Sequence, residues 1–345
     1  MTCHRRCHWG TALLLGLAIG CASGSAADFP QAQITNGPIT AKIYLPNAKN
    51  GYYRSTRFDW SGAVYSLRYQ GHDYYGPWYD KIDPAVINWV HQGSAIVAGP
   101  CSALWGPVNE FETPLGFDAA KAGGSFIKIG VGVLRKVTDD RYNKYQPYEV
   151  LDPGKWTVKP SADSIEFTQE LSNPASGYAY VYRKVVRLVS GKPEMEIEHS
   201  LKNTGKRAIE SSVYNHNFMV FDKQGPGPDN TFRVPFQIQG TARNKELTEV
   251  RGNEVVYLKP LAGEDEAVVM LQGFGNDAKD SEVVIENRKA GAGVKITVDR
   301  PIIRSMLWSI RTVLAVEPYI AIDVQPGAEF TWRNTLDYYT IPESK

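Results

Sequence analysis

Along nearly the whole chain, side chains alternate in character with a period of two, while the three-and-four spacing of an amphipathic helix is scarce. Phe126, Lys128, Gly130 and Gly132 alternate with Ile127, Ile129, Val131 and Val133, and Tyr178, Tyr180 and Tyr182 with Ala179, Val181 and Arg183; both runs are expected to be strands. After Val185 to Val189, the sequence Ser190-Gly191-Lys192-Pro193 predicts a hairpin turn, and Met195, Ile197, His199 and Leu201 then share one face opposite Glu194, Glu196 and Glu198. Further strands are expected at Val255 to Leu258, Ala267 to Leu271, Glu282 to Ile285, Val294 to Val298 and Tyr319 to Val324, separated by Gly, Pro, Asn and Asp clusters. Strands never alternate with helices in the pattern of a parallel α/β sheet, which argues for antiparallel pairing. The pattern predicts an all-β chain, a large antiparallel β-sandwich forming a single domain over residues 28–345.

Two segments interrupt the alternation. Asp83 to Ala122 is rich in Gly, Pro, Trp and carboxylates without a sustained period, and is expected to be loop-dominated and to border a binding pocket. Gln224 to Asn230 is a second loop. Between Tyr52 and Tyr79 lie ten aromatic residues, which suit either a sugar platform or a sheet core. Gly130-Val131-Gly132-Val133 is no dinucleotide loop, since it sits in an alternating run with no helix and third glycine after it. His199 shares its face with Met195, Ile197 and Leu201, and is expected to be a hydrogen-bonded core residue.

The amino end combines a basic start (His4, Arg5, Arg6, His8), an apolar run from Thr11 to Ile19 and small residues from Ser23 to Ala27, the pattern of a signal peptide over residues 1–27. The run is shorter than the roughly 20 residues of a membrane-spanning helix. Leu17-Ala18-Ile19-Gly20-Cys21 approximates a lipoprotein box, so a lipid on Cys21 is the one membrane link foreseen. A periplasmic or secreted location is expected. Cys3, Cys7 and Cys21 lie in this leader and leave only Cys101, so no internal disulfide is available. Without Arg5 and Arg6 the formal charge of +1 becomes 36 − 37 = −1, which with no basic cluster argues against nucleic acid as a partner.

His216, in Tyr214-Asn215-His216-Asn217-Phe218, and Glu317 lie on separate strand patterns. An imidazole and a carboxylate facing one pocket form an acid–base pair. Taken in order, Leu201-Lys202-Asn203-Thr204-Gly205, Tyr214-Asn215-His216-Asn217-Phe218, Glu317-Pro318 and Pro326-Gly327 resemble the galactose mutarotase-like superfamily of aldose 1-epimerases and hexose-phosphate epimerases. The resemblance implies a β-supersandwich with its site on the concave face, and interconversion of sugar anomers with His216 as acid and Glu317 as base. It implies Arg57, ahead of Arg54 and Arg68, as the sugar-binding arginine, with Glu110 and Asn215 also binding substrate. The family's second histidine, in a His-Gly-Gly segment, has no counterpart here. Gly106-Pro107-Val108-Asn109-Glu110-Phe111 occupies that region, and His72 and His91 are the nearest histidines.

Anomer exchange removes the C1 hydroxyl proton, protonates the ring oxygen, opens the ring and closes it on the other face. It needs no cofactor and no metal, and the chain offers no spaced His/Cys cluster for one. His216 and Glu317 are therefore expected in one concave pocket, about the span of a sugar ring apart and outside any apolar core. The partner expected is a small carbohydrate, an aldose or sugar terminus. Two other readings keep the fold: a carbohydrate-binding protein without catalysis, and a polysaccharide lyase-like enzyme.

Overall fold

The computed structural model describes residues 29–342; the expected leader lies outside them. Strands dominate, joined by two short 3-10 turns, with no α-helix among the described residues. Ten strands form one antiparallel sheet and five another, with smaller sheets of four, three and three strands beside them. The expected hairpin is present: Tyr178–Leu188 pairs with Glu194–Asn203 across the Ser190-Gly191-Lys192-Pro193 turn, with Gly191 at φ +69°, where a side chain would be strained.

Alternation explains how the two large sheets pack. The five-stranded sheet runs in the order Glu266–Leu271, Arg304–Ile310, Val313–Val324, Ile209–Met219 and Gly106–Phe111. One face turns Val213, Ile320 and Ile322 onto Tyr182, Leu201 and Trp332 of the ten-stranded sheet. The opposite face carries Tyr214, His216 and Phe218 toward the segments that precede Tyr148. His199 lies in the layer between the sheets, stacked on Trp332 at 4.4 Å with Nδ1 3.0 Å from the Tyr182 hydroxyl, the core role expected of it.

The expected strand from Phe126 to Val133 is instead a tight hairpin. Ser125–Lys128 pairs with Gly132–Arg135, and the chain reverses through Gly130 at φ +78°. Apolar residues continue through the turn because it is buried, so composition gave no break. Asp83 to Ala122 likewise contains strands, Trp89–Gln92, Ala95–Ala98 and Gly106–Phe111, the last an edge of the five-stranded sheet.

That edge strand begins at Gly106, held at φ +83° with the position of an added Cβ 2.0 Å from the Val64 carbonyl oxygen. Gly106→Ala should therefore lower stability by at least about 1–3 kcal/mol, the cost of a left-handed non-glycine residue, with the overlap added to it. A urea unfolding curve within 0.5 kcal/mol of wild type would contradict this.

Candidate active site

His216 and Glu317 face each other by register. Tyr214 pairs with Tyr319 and Asn217 with Val316 on adjacent antiparallel strands, which sets His216 directly opposite Glu317, and directly opposed side chains on one face touch. His216 Nε2 lies 3.1 Å from Glu317 Oε1. The expected separation by a sugar ring is thus corrected to direct contact, and the expected openness to burial: the residues are 4% and 3% exposed. Contact still suits two proton positions on one sugar, because the ring oxygen and the anomeric hydroxyl are substituents of the same carbon.

The pair forms part of the floor of a cavity of about 240 Å³ lined by Arg57, Trp78, Trp89, Lys144, Phe218 and Trp308 among others. His216 stacks on Phe218 at 3.7 Å, and Phe218 in turn stacks on Trp78 at 5.8 Å. Asp83 to Ala122 borders this cavity through Asn88, Trp89 and Ser102. Of the ten aromatic residues from Tyr52 to Tyr79, only Trp78 lines it; the others divide between the core and its partly buried margin.

Arg57 reaches the cavity with its guanidinium anchored behind: Nε donates to Glu110 at 2.8 Å and Nη2 to the Tyr214 hydroxyl at 3.2 Å. Glu110 is 0% exposed and does not line the cavity. Its expected substrate contact is corrected to a supporting one, since its oxygens are taken by Arg57, Tyr214 and the ammoniums of Lys128 at 3.5 Å and Lys144 at 3.6 Å. Burial alone would raise Glu110, but Arg57, Lys144 and Lys128 overcome it and hold the carboxyl well below the usual carboxylate range. Burial lowers Lys128 to about 8 against the pull of Glu110.

Asn215 is the clearest correction. One residue from His216 on a strand, it must point to the other face. There it lies against Asn109, Trp332 and Asn334. Its motif has a structural use. Pro318, opposite Asn215, has no N–H for the sheet ladder, and Asn217 Nδ2 donates to the Asn215 carbonyl at 2.9 Å, while Asn215 Nδ2 donates to Asn217 Oδ1 at 2.9 Å.

Of the nearest histidines, His72 pairs with Asp222 at 2.7 Å and His91 Nδ1 accepts from Arg311 at 2.7 Å; neither lines the cavity. Residues not foreseen are Lys144, Trp89, Trp308 and the buried hydroxyls of Tyr214 and Tyr319. The tyrosines were discoverable, each two residues from a member of the pair on the same strand face. Lys144 lies outside any strand and gave no signal.

Burial depresses His216 well below the usual imidazole value, helped by the cations Arg57 and Lys144, and raises Glu317. Both directions favour uncharged forms.

A cavity lined by a histidine in contact with a glutamate and walled by aromatics, on one face of a large antiparallel β-sandwich, defines this molecule. Its fold is that of the galactose mutarotase-like proteins. A Synechocystis protein superposes at TM-score 0.52 with 12% identity over 91% of this chain and 97% of that one. A galactose mutarotase related enzyme from Lactobacillus acidophilus does so at 0.51, with 13% identity over 91% and 99%. A galactose mutarotase-like protein from Clostridium acetobutylicum does so at 0.50, with 12% identity over 91% and 99%. No protein-family model matches the sequence, and neither does any curated protein.

Proposed function

We propose that the protein is an exported aldose 1-epimerase-like isomerase that interconverts sugar anomers through His216 and Glu317. The observation that carries this reading is the 3.1 Å contact of His216 Nε2 with Glu317 Oε1 on the cavity floor. The cavity, about 240 Å³, falls below the roughly 300–1,000 Å³ of sites for drug-sized ligands, and suits one sugar ring stacked on Trp78 or Trp308. Arg57 and Lys144 supply donors for hydroxyl groups at its edge.

One mobile proton serves the whole cycle. With that proton on His216, Glu317 takes the C1 hydroxyl proton while the imidazolium protonates the ring oxygen. The open aldehyde then stands over a neutral imidazole and a protonated carboxyl. After rotation about C1–C2 the transfers reverse, the ring closes on its other face and the starting forms return. Raising Glu317 and lowering His216 weakens the ion-paired arrangement relative to the neutral one in which Glu317 holds the proton, so both groups can exchange roles as donor and acceptor. The profile of kcat/KM against pH should be bell-shaped. It falls on the acid side when both groups are protonated and on the alkaline side when the mobile proton leaves.

The deciding measurement follows a freshly dissolved pure anomer by NMR or polarimetry. Acceleration above the spontaneous rate for at least one aldose in a broad panel is expected. An aldose that binds without acceleration would move the assignment to a carbohydrate-binding protein.

A further inference from the structure

Glu317 is held from two sides. Oε1 meets His216, and the Tyr319 hydroxyl donates to Oε2. We propose that Tyr319 is the positioning residue of Glu317: its hydroxyl fixes the carboxylate plane so that Oε1 faces His216 and the sugar. This inference rests on the acid–base reading of the pair.

The geometry carries it in three steps. The final torsion of a glutamate side chain is broad and weakly restrained, so a carboxylate bonded through one oxygen can swing out of the plane that proton transfer needs. A second bond to the other oxygen removes that freedom, and one from a hydroxyl to a carboxylate is charge-assisted and therefore strong. Tyr319 supplies it without competing for substrate, since it does not line the cavity and its ring stands against Tyr214 at 4.2 Å.

Tyr319 has its own support from outside. Arg304, its partner in register on the adjacent strand, places its guanidinium carbon 3.6 Å from the ring centroid. A cation over the ring draws charge from the phenol and strengthens its hydroxyl as a donor. Arg304 in turn bonds Glu112, whose other oxygen accepts from Ser212 Oγ at 2.8 Å. A line of contacts thus runs from the half-exposed Arg304 and Glu112 through Tyr319 to the buried pair.

The test replaces Tyr319→Phe and, as a variant at a more exposed position, Arg304→Met. Tyr319→Phe should lower kcat about tenfold, the scale of one charge-assisted hydrogen bond, with KM within about twofold of wild type. Because the lost bond favoured the ionised carboxylate, Glu317 should hold its proton to higher pH, and the bell-shaped profile should move the same way. Carbon-13 NMR of the Glu317 carboxyl, assigned by its absence in Glu317→Gln, reads that titration without any activity. Arg304→Met should shift it in the same direction by less. A carboxyl titration unchanged in both variants overturns the proposal, as does a loss of kcat in Tyr319→Phe with no movement of either titration or profile. If wild-type protein accelerates no anomer exchange, the catalytic reading fails while the carboxyl titration still decides the role of Tyr319.

Discussion

Glu110→Gln should cost about 3–5 kcal/mol of folding stability, the scale of leaving buried charge without its partner. Glutamine preserves the volume but removes the negative charge that Arg57, Lys128 and Lys144 share, each held within 3.6 Å of a Glu110 oxygen. Lys128 is fully buried, and with no hydrogen-bond partner for its ammonium it relies on that carboxylate. The sign of the pH dependence follows from the two groups. Glu110 is depressed on folding, so its contribution is present above the unfolded carboxylate value and disappears only as pH falls through its much lower folded value. Lys128 is depressed to about 8 even with Glu110 beside it, and without that carboxylate it gives up its proton at lower pH still, so the mutant sheds the stranded charge as pH rises. The stability gap between wild type and Glu110→Gln should therefore be wider at pH 6 than at pH 9. Chemical denaturation at both values measures it, and equal stabilities at pH 6 would mean that the cluster is solvated.

The same cluster marks how far the sequence could be read. Strand faces follow from alternation, so the antiparallel sandwich, the turn at Ser190 to Pro193 and the buried side of His199 were legible. Alternation also placed Asn215 opposite to His216, and assigning it to substrate overrode the physics of the strand in favour of a resemblance. Register is a different matter. Nothing local to Tyr214-Asn215-His216-Asn217-Phe218 says which residue of a strand a hundred positions away stands across from it, so the contact between His216 and Glu317 had no local signature. Buried turns such as the one through Gly130 are also silent, because the core demands apolar residues there as it does in a strand. Glu110 was read as binding substrate alongside Arg57, whereas its three cations come from segments with unrelated patterns, and only the fold brings them together.

The largest effect on turnover is expected at the pair. Replacing Glu317→Gln or His216→Gln should lower kcat by about 10²-fold or more, the usual scale for losing a general acid or base, while leaving sugar affinity close to wild type, because Trp78, Trp308, Arg57 and Lys144 remain in the cavity wall. Both changes keep a side chain able to hydrogen-bond, so the 3.1 Å contact can persist as a neutral bond and the fold need not open. On the proposed cycle each variant loses one of the two transfers. Glutamine at position 317 cannot take the C1 hydroxyl proton, and glutamine at position 216 cannot give a proton to the ring oxygen. The single-proton cycle makes the two residues one unit and so predicts a double variant hardly slower than either single one. Equal losses in all three variants, with unchanged binding measured by calorimetry, would show that His216 and Glu317 share one proton-transfer step. Multiplying losses in the double variant would instead assign them independent tasks, and the single-proton cycle would have to be given up.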